Sequence, residues 1–192
     1  MGQTKAMDLS ASEYLAGHQF EYDFDNIGNR TTAKAGGDPA GGGMRNAIYT
    51  ANSLNQITER TVPGAFDVIG KAAEGTIVSV NNQRATRQGE WWRHEETVDN
   101  SDDPVFAAVN IVGVKNNVGT SGEDAVSEAS GAVYVAETPE IFTYDYDGNL
   151  TSDGRWTYTW DAENRLIAME SNSSVPAAAK KKLEFKYDYR WR

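Results

Sequence analysis

Residues 142–166 read FTYDYDGNLTSDGRWTYTWDAENRL, and this stretch decides the fold. Phe142-Thr143-Tyr144 and Trp156-Thr157-Tyr158-Thr159-Trp160 alternate at period two, the repeat of a strand whose successive side chains point to opposite faces. Trp156, Tyr158 and Trp160 therefore share one face, with Thr157 and Thr159 on the other. Asp153-Gly154, between Asn149-Leu150-Thr151 and the aromatic run, is a two-residue hairpin signal. Each alternation ends in an acid and a turn: Tyr144-Asp145 runs to Gly148-Asn149-Leu150, and Trp160-Asp161 runs to Asn164-Arg165-Leu166. The Asp can accept backbone N–H groups at the strand-to-turn junction, and Gly or Asn supplies the positive φ that the turn requires. The spacing predicts antiparallel hairpins in series.

The same unit recurs outside this stretch, as self-similarity at a short period does in repeat architectures. Phe20-Glu21-Tyr22-Asp23 is followed by Gly28-Asn29-Arg30. Tyr49-Thr50-Ala51-Asn52, followed by Asn55-Gln56-Ile57, is a looser copy. Phe185-Lys186-Tyr187-Asp188 opens another, which carries Trp191 where the turn wants Gly. Together, FEYDFDNIGNRTT (residues 20–32) and the stretch above resemble the YD-repeat, or Rhs-repeat, family, over residues 19–60 and 141–192, about half of the chain. The resemblance implies an antiparallel β-ribbon wound into part of a hollow shell. It further implies a secreted or cell-surface parent protein of toxin-carrier or adhesion type. No repeat-associated core or self-cleavage site is read in these residues, so the chain is expected to be a fragment whose partner is the remainder of a longer Rhs-like polypeptide.

Between the repeats the text changes. Phe66-Asp67-Val68-Ile69-Gly70, Thr76-Ile77-Val78-Ser79-Val80-Asn81, Gly89-Glu90-Trp91-Trp92, and the runs at 105–114 and 132–135 are short strands separated by turn residues. They predict a β-sandwich over residues 61–140, similar to bacterial immunoglobulin-like modules, with a polar Gly/Ser-rich mobile loop at 116–131. AGGDPAGGG at 35–43 reads as a long hairpin loop, and residues 171–182 as a second. Residues 1–18 hold one weak helical possibility, 10–16, and otherwise look like a boundary or linker. The expected fold class is all-β, with repeat strands at 19–60 and 141–192 flanking the inserted sandwich.

Composition narrows the function classes. The 192 residues carry no Cys and two His, which excludes disulfide scaffolds and thiol catalysis and leaves little for imidazole chemistry. A net charge of −10 argues against nucleic acid or an anionic membrane surface as partner. No apolar run approaches the roughly 18 residues of a membrane helix, and the first residues lack the basic and apolar regions of a signal peptide.

No catalytic constellation assembles in the text. Around Asp145-x-Asp147-Gly148 the EF-hand spacing fails, since Gly148 at the sixth position puts Thr143 first and Gly154 twelfth. Glu95, Glu96, Asp99, Asp102 and Asp103 follow a Trp pair, as in a glycosidase cleft, but Glu95 and Glu96 must face opposite ways on a strand. If Trp92 and Val98 are core, His94 and Glu96 lie at the sandwich edge or pair with each other, and Trp91, Arg93 and Glu95 take the outer face. There Trp91 is a stacking platform for a sugar ring, with Arg93 and Glu95 as its polar neighbours; the alternative register exposes Trp92 with His94 and Glu96 instead. Lys180-Lys181-Lys182 reads as a solvated loop. The expectation is a structural shell or scaffold segment that is not an enzyme and needs no cofactor or metal. Carbohydrate recognition is the alternative function and glycoside hydrolysis a more distant one. The residues assigned to the repeat architecture are Tyr22, Asp23, Gly28, Asn29, Tyr144, Asp145, Gly148, Asn149, Trp160, Asp161, Asn164, Arg165, Tyr187 and Asp188.

Overall fold

A computed structural model describes residues 2–7 and 13–188, and the fold is all-β. In chain order the strands are β1 (Gly2–Met7), β2 (Tyr14–Phe24), β3 (Arg30–Gly36), β4 (Met44–Ala51), β5 (Ile57–Arg60), β6 (Ala65–Lys71), β7 (Ile77–Val80), β8 (Gln83–Arg84) and β9 (Thr86–Gln88). They continue with β10 (Trp91–Thr97), β11 (Val105–Lys115), β12 (Ala125–Val135), β13 (Glu140–Ile141), β14 (Thr143–Tyr144), β15 (Leu150–Ser152), β16 (Trp156–Trp160), β17 (Leu166–Ser171) and β18 (Lys182–Glu184). The one helical element among the described residues is a 3-10 turn, Ala177–Ala179. No helix of the described residues is long and apolar enough to cross a membrane.

The chain divides into two compact units. Unit 1 takes residues 1–47, 63–98 and 107–133. In it β1, β2 and β3 pair antiparallel in chain order. Two further sheets, β6-β10-β9 and β12-β11-β7-β8, share one core. Val78, Val80, Ala85, Trp92 and Val109 are buried there, with Phe66, Val68, Ala72, Ile111 and Val133 packed around them. Alternation builds this core: Val78 and Val80 lie two apart on β7, as do Val109 and Ile111 on β11. Gly70 sits opposite Trp92 in the β6–β10 register, and a Cβ there would lie 2.6 Å from the indole. Only glycine lets the large ring lie flat against its neighbour strand.

Unit 2 takes residues 48–62, 99–106 and 134–192. Its part of β4 pairs with β5, and β5 pairs with β13. Strands β14 to β18 form an antiparallel meander in chain order. Trp156, Tyr158 and Trp160 are half-buried while Thr157 and Thr159 are exposed, as the alternation requires.

Several sequence expectations are corrected. The compact units cut across the expected sandwich boundaries: residues 99–106 and 134–140 belong to unit 2. Buried Asn100 fastens them, donating from Nδ2 to the carbonyls of Ala136 (2.7 Å) and Val62 (3.2 Å). Residues 2–7 form a strand rather than a linker, and Tyr14–Phe24 is strand where a helical turn was possible; residues 10–12 of that possibility lie outside the described residues. The expected mobile loop at 116–131 is shorter, because residues 125–131 belong to β12. Their small side chains hid the strand.

Candidate functional site

Five turns among the described residues share one hydrogen-bond pattern. Asp25, Asp38, Asn52, Asp145 and Asp161 each donate their backbone N–H to the carbonyl four residues on, at 2.8–3.0 Å. Each also accepts on its side-chain Oδ1 the N–H groups two and four residues on, at 2.8–3.0 Å. The residue three on has positive φ in every case: Gly28, Gly41, Asn55, Gly148 and Asn164. An acid or Asn, two free positions and then a Gly or Asn is therefore the chemical minimum of the unit.

This pattern places most of the predicted repeat residues. Gly28, Asn29, Asp145, Gly148, Asn149, Asp161, Asn164 and Arg165 all lie in capped turns. Asp23 does not. It lies within β2 and accepts from the Thr32 hydroxyl at 3.1 Å, while Asp25 caps the turn. The first copy is phased two residues later than its aromatic alternation suggests, because only the acid-to-Gly distance fixes the phase. Asp38 is a further capped turn, inside the Gly-rich loop that carried no aromatic signal. Tyr22 lies in β2 with the Arg30 guanidinium 4.9 Å from its ring centroid. Tyr144 donates its hydroxyl to the Ile57 carbonyl, Trp160 its indole N–H to Leu150, and Tyr187 its hydroxyl to Leu166. The copy opened by Tyr187 and Asp188 runs into residues 189–192, outside the described residues.

Three of the caps, Asp25, Asp145 and Asp161, hold their own carboxyl pKa values below the ordinary value. For Asp145 the Asn149 side chain is the largest cause, and for Asp161 the Arg165 backbone N–H. At Asp25 desolvation pushes upward, but the hydrogen bonds from Asn29, Ile27 and Gly28 outweigh it. In unit 2 adjacent turns touch, with Asn149 Nδ2 donating to Asn164 Oδ1 at 2.8 Å.

The proposed sugar face has the expected register. Trp91, Arg93 and Glu95 stand opposite Lys71, Ile69 and Asp67, whereas Trp92 points into the core with 7% of its surface exposed. The face is not a free platform. Arg93 binds Asp67 and Glu95, each at 2.6 Å, and Arg45 binds Asp67 at 2.6 Å and Glu95 at 2.5 Å, closing a ring of four charges. His18 meets the Trp91 ring edge-on at 4.8 Å between centroids, and Lys71 Nζ lies 4.4 Å from its centroid. Gly17 approaches Arg93 and Ile69 closely enough that a Cβ would lie 3.0 Å from Ile69 Cγ2. The outer face is thus largely covered by the N-terminal strands of unit 1, which strand alternation alone cannot reveal. A cleft of about 210 Å³ persists beside Trp91 and Arg93, bounded also by Pro39, Thr86 and Gln88. Glu96 pairs with His94 at 3.1 Å, on the opposite face from Glu95, so the two adjacent acids form no catalytic pair. Among the described residues no group of three or more His, Cys, Asp or Glu is placed to hold a metal.

A buried polar cluster in unit 2 escaped the sequence reading. Glu140, 6% exposed, pairs with Arg60 on the neighbouring strand β5. Asp153 accepts from the Tyr158 hydroxyl at 2.8 Å and from the Trp156 N–H at 2.7 Å. Arg155 lies over the Tyr134 ring, 4.6 Å from its centroid. Burial pushes Glu140 upward against the pull of Arg60, and burial followed by the Asp153 carboxylate pushes Tyr158 upward. Arg60 and Glu140 lie 80 residues apart, so no local spacing announced them.

No protein-family model matches the chain. Over 50 residues, 26% of its length, it is 46% identical to proteins named tRNA nuclease WapA in Bacillus subtilis (strain 168) and tRNA3(Ser)-specific nuclease WapA in Bacillus spizizenii. A third such relative is the tRNA(Glu)-specific nuclease WapA of Bacillus subtilis subsp. natto, at the same identity and coverage. The matched part spans 2% of the length of these relatives. The expectation of no enzyme is overturned here, because the relatives are enzymes by name. That reading sought a catalytic constellation within 192 residues, whereas the match covers 50 of them and 2% of the relatives' length.

Proposed function

We propose that these residues build a YD-repeat wall segment of a large, secreted or surface-exposed polypeptide of the nuclease-toxin kind. The observation that carries the reading is the capped turn, repeated five times with the same donors and acceptors on an antiparallel strand framework. A turn fixed by its own Asp or Asn side chain needs little from its neighbours, so units can be added in series. The similarity to large tRNA nucleases supports a carrier role beside a nuclease elsewhere in the same polypeptide. The test is the reading frame around the coding sequence. Further Asp/Asn-x-x-Gly/Asn turn units on either side and a nuclease region in the same frame support the proposal. A short frame that encodes these units alone refutes it.

Carbohydrate recognition is a second reading, favoured by the cleft of about 210 Å³ beside Trp91 and Arg93. Stacking with a few hydrogen bonds gives weak affinity, with Kd on the order of 10⁻³–10⁻⁴ M. Oligosaccharide titration monitored by tryptophan fluorescence checks it, and binding that is unchanged in Trp91→Ala removes this site.

A further inference from the structure

The core of unit 1 empties toward one end, and the sequence shows why. Val109 and Ile111 on β11 and Val133 on β12 point inward, since they pack in the core. Period two therefore makes Gly113 and Lys115 the next inward positions on β11, and Gly131, Ala129, Ser127 and Ala125 the corresponding ones on β12. Apart from Lys115, these side chains are too short to reach the opposite sheet. An open cleft of about 350 Å³ results, with Trp92, Val78 and Ile111 among its apolar walls. At its rim Lys71 already pairs with Glu90 at 2.6 Å. Lys115 lines the same cleft half-buried, on the inward phase of its strand, and makes no ion pair among those in the described residues.

We propose that this cleft binds an anionic amphiphile, with an unbranched apolar tail against Trp92 and a carboxylate head on Lys115. Charge complementarity selects the head, because an inward lysine beside an apolar wall is stabilised by an anion brought by the ligand. Volume selects the tail: at roughly 30 Å³ per water-sized group, the space holds about ten such groups, the span of a medium-length alkyl chain. Val126 and Glu128, exposed on β12, also line the cleft, so the carboxylate head is assigned to Lys115 on the facing strand β11.

Isothermal titration of the full chain with sodium decanoate tests this, with hexanoate and decyltrimethylammonium as controls for tail length and head charge. One-to-one binding of decanoate is expected, at least tenfold weaker for either control. Lys115→Glu is expected to weaken it at least tenfold, and Gly113→Leu to abolish it. A Cβ at Gly113 meets nothing closer than Thr76 Cγ2 at 3.5 Å, so the leucine fills the cleft without a backbone clash. Should that variant fail to fold by circular dichroism, Ala129→Leu on exposed β12 blocks the same space. The proposal is overturned if no heat appears up to millimolar decanoate or if the cationic amphiphile binds equally well. It is equally overturned if the filled variants bind as the parent does, or if light scattering shows a second copy of the chain closing the cleft.

Discussion

Replacing each member of the Trp91-Trp92 pair by alanine separates the two faces of β10. The Trp92 ring is 7% exposed and packs among Val78, Val80 and Val109. A buried tryptophan removes about 150–250 Å² from water, worth roughly 4–6 kcal/mol as an upper bound at 25 cal/mol per Å². Trp92 also borders the open cleft, so its neighbours can relax into the vacated space and the cost falls to about 3 kcal/mol, the low end for such truncations. Trp91 loses an edge contact with His18 and the Lys71 cation, together about 1 kcal/mol. Urea unfolding of both variants, followed by far-ultraviolet circular dichroism so that the lost indole does not enter the signal, measures the difference. Thermal scans should show Trp92→Ala lowering Tm by about 6–12 °C, at roughly 2–4 °C per kcal/mol for a chain of this size. Equal losses, or a larger loss for Trp91→Ala, refute the assignment of Trp92 to the core.

Asp161→Asn should keep most of the stability that Asp161→Ala loses, since Asn52 already caps the same turn with an amide oxygen; urea midpoints rank the two. The carboxyls of Asp25, Asp145 and Asp161 sit below the ordinary 3.8 when folded. The unfolded chain therefore takes up their protons first as pH falls, so the stability they give is complete above that value and is lost as pH drops through the lowered ones. The triple Asp→Asn variant should show a shallower acid transition than the parent in a pH series of urea midpoints. Arg60→Ala leaves Glu140 buried without its cation and should cost about 3 kcal/mol by urea unfolding, the low end because Arg60 is itself partly exposed, while adding Glu140→Leu should return part of that loss.

What the sequence discloses follows the range of each interaction. Trp156, Tyr158 and Trp160 declare a strand face because alternation is a property of neighbours; the same logic set Trp91 and Trp92 on opposite faces, and the structure shows which of them is buried. The capped turns at Asp145 and Asp161 were legible because an aromatic alternation leads into each, and the one at Asp38 was not because none does. In residues 20–25 the acids Glu21, Asp23 and Asp25 alternate alike, and the aromatic pattern drew the eye to the wrong one. Residues 125–131 of β12 were read as loop because their Ala, Ser and Gly carry no hydrophobic alternation, although the backbone pairs as a strand. The closed charge ring of Arg45, Asp67, Arg93 and Glu95 was invisible for another reason. Arg45 and Asp67 lie 22 residues apart and Arg45 and Glu95 50 apart, and they meet only because the N-terminal strands fold onto β6 and β10.

The proposal that these units belong to a far longer polypeptide is tested most directly by the size of the native product. An antibody raised against this 21.0 kDa chain, used on fractionated cells and medium of the source organism, reports that size by immunoblot, and peptide mass spectrometry of the band confirms the sequence. The account predicts a band many times larger than 21.0 kDa, with peptides of further capped-turn units beside those described. A single product at 21.0 kDa, without larger precursors, contradicts it.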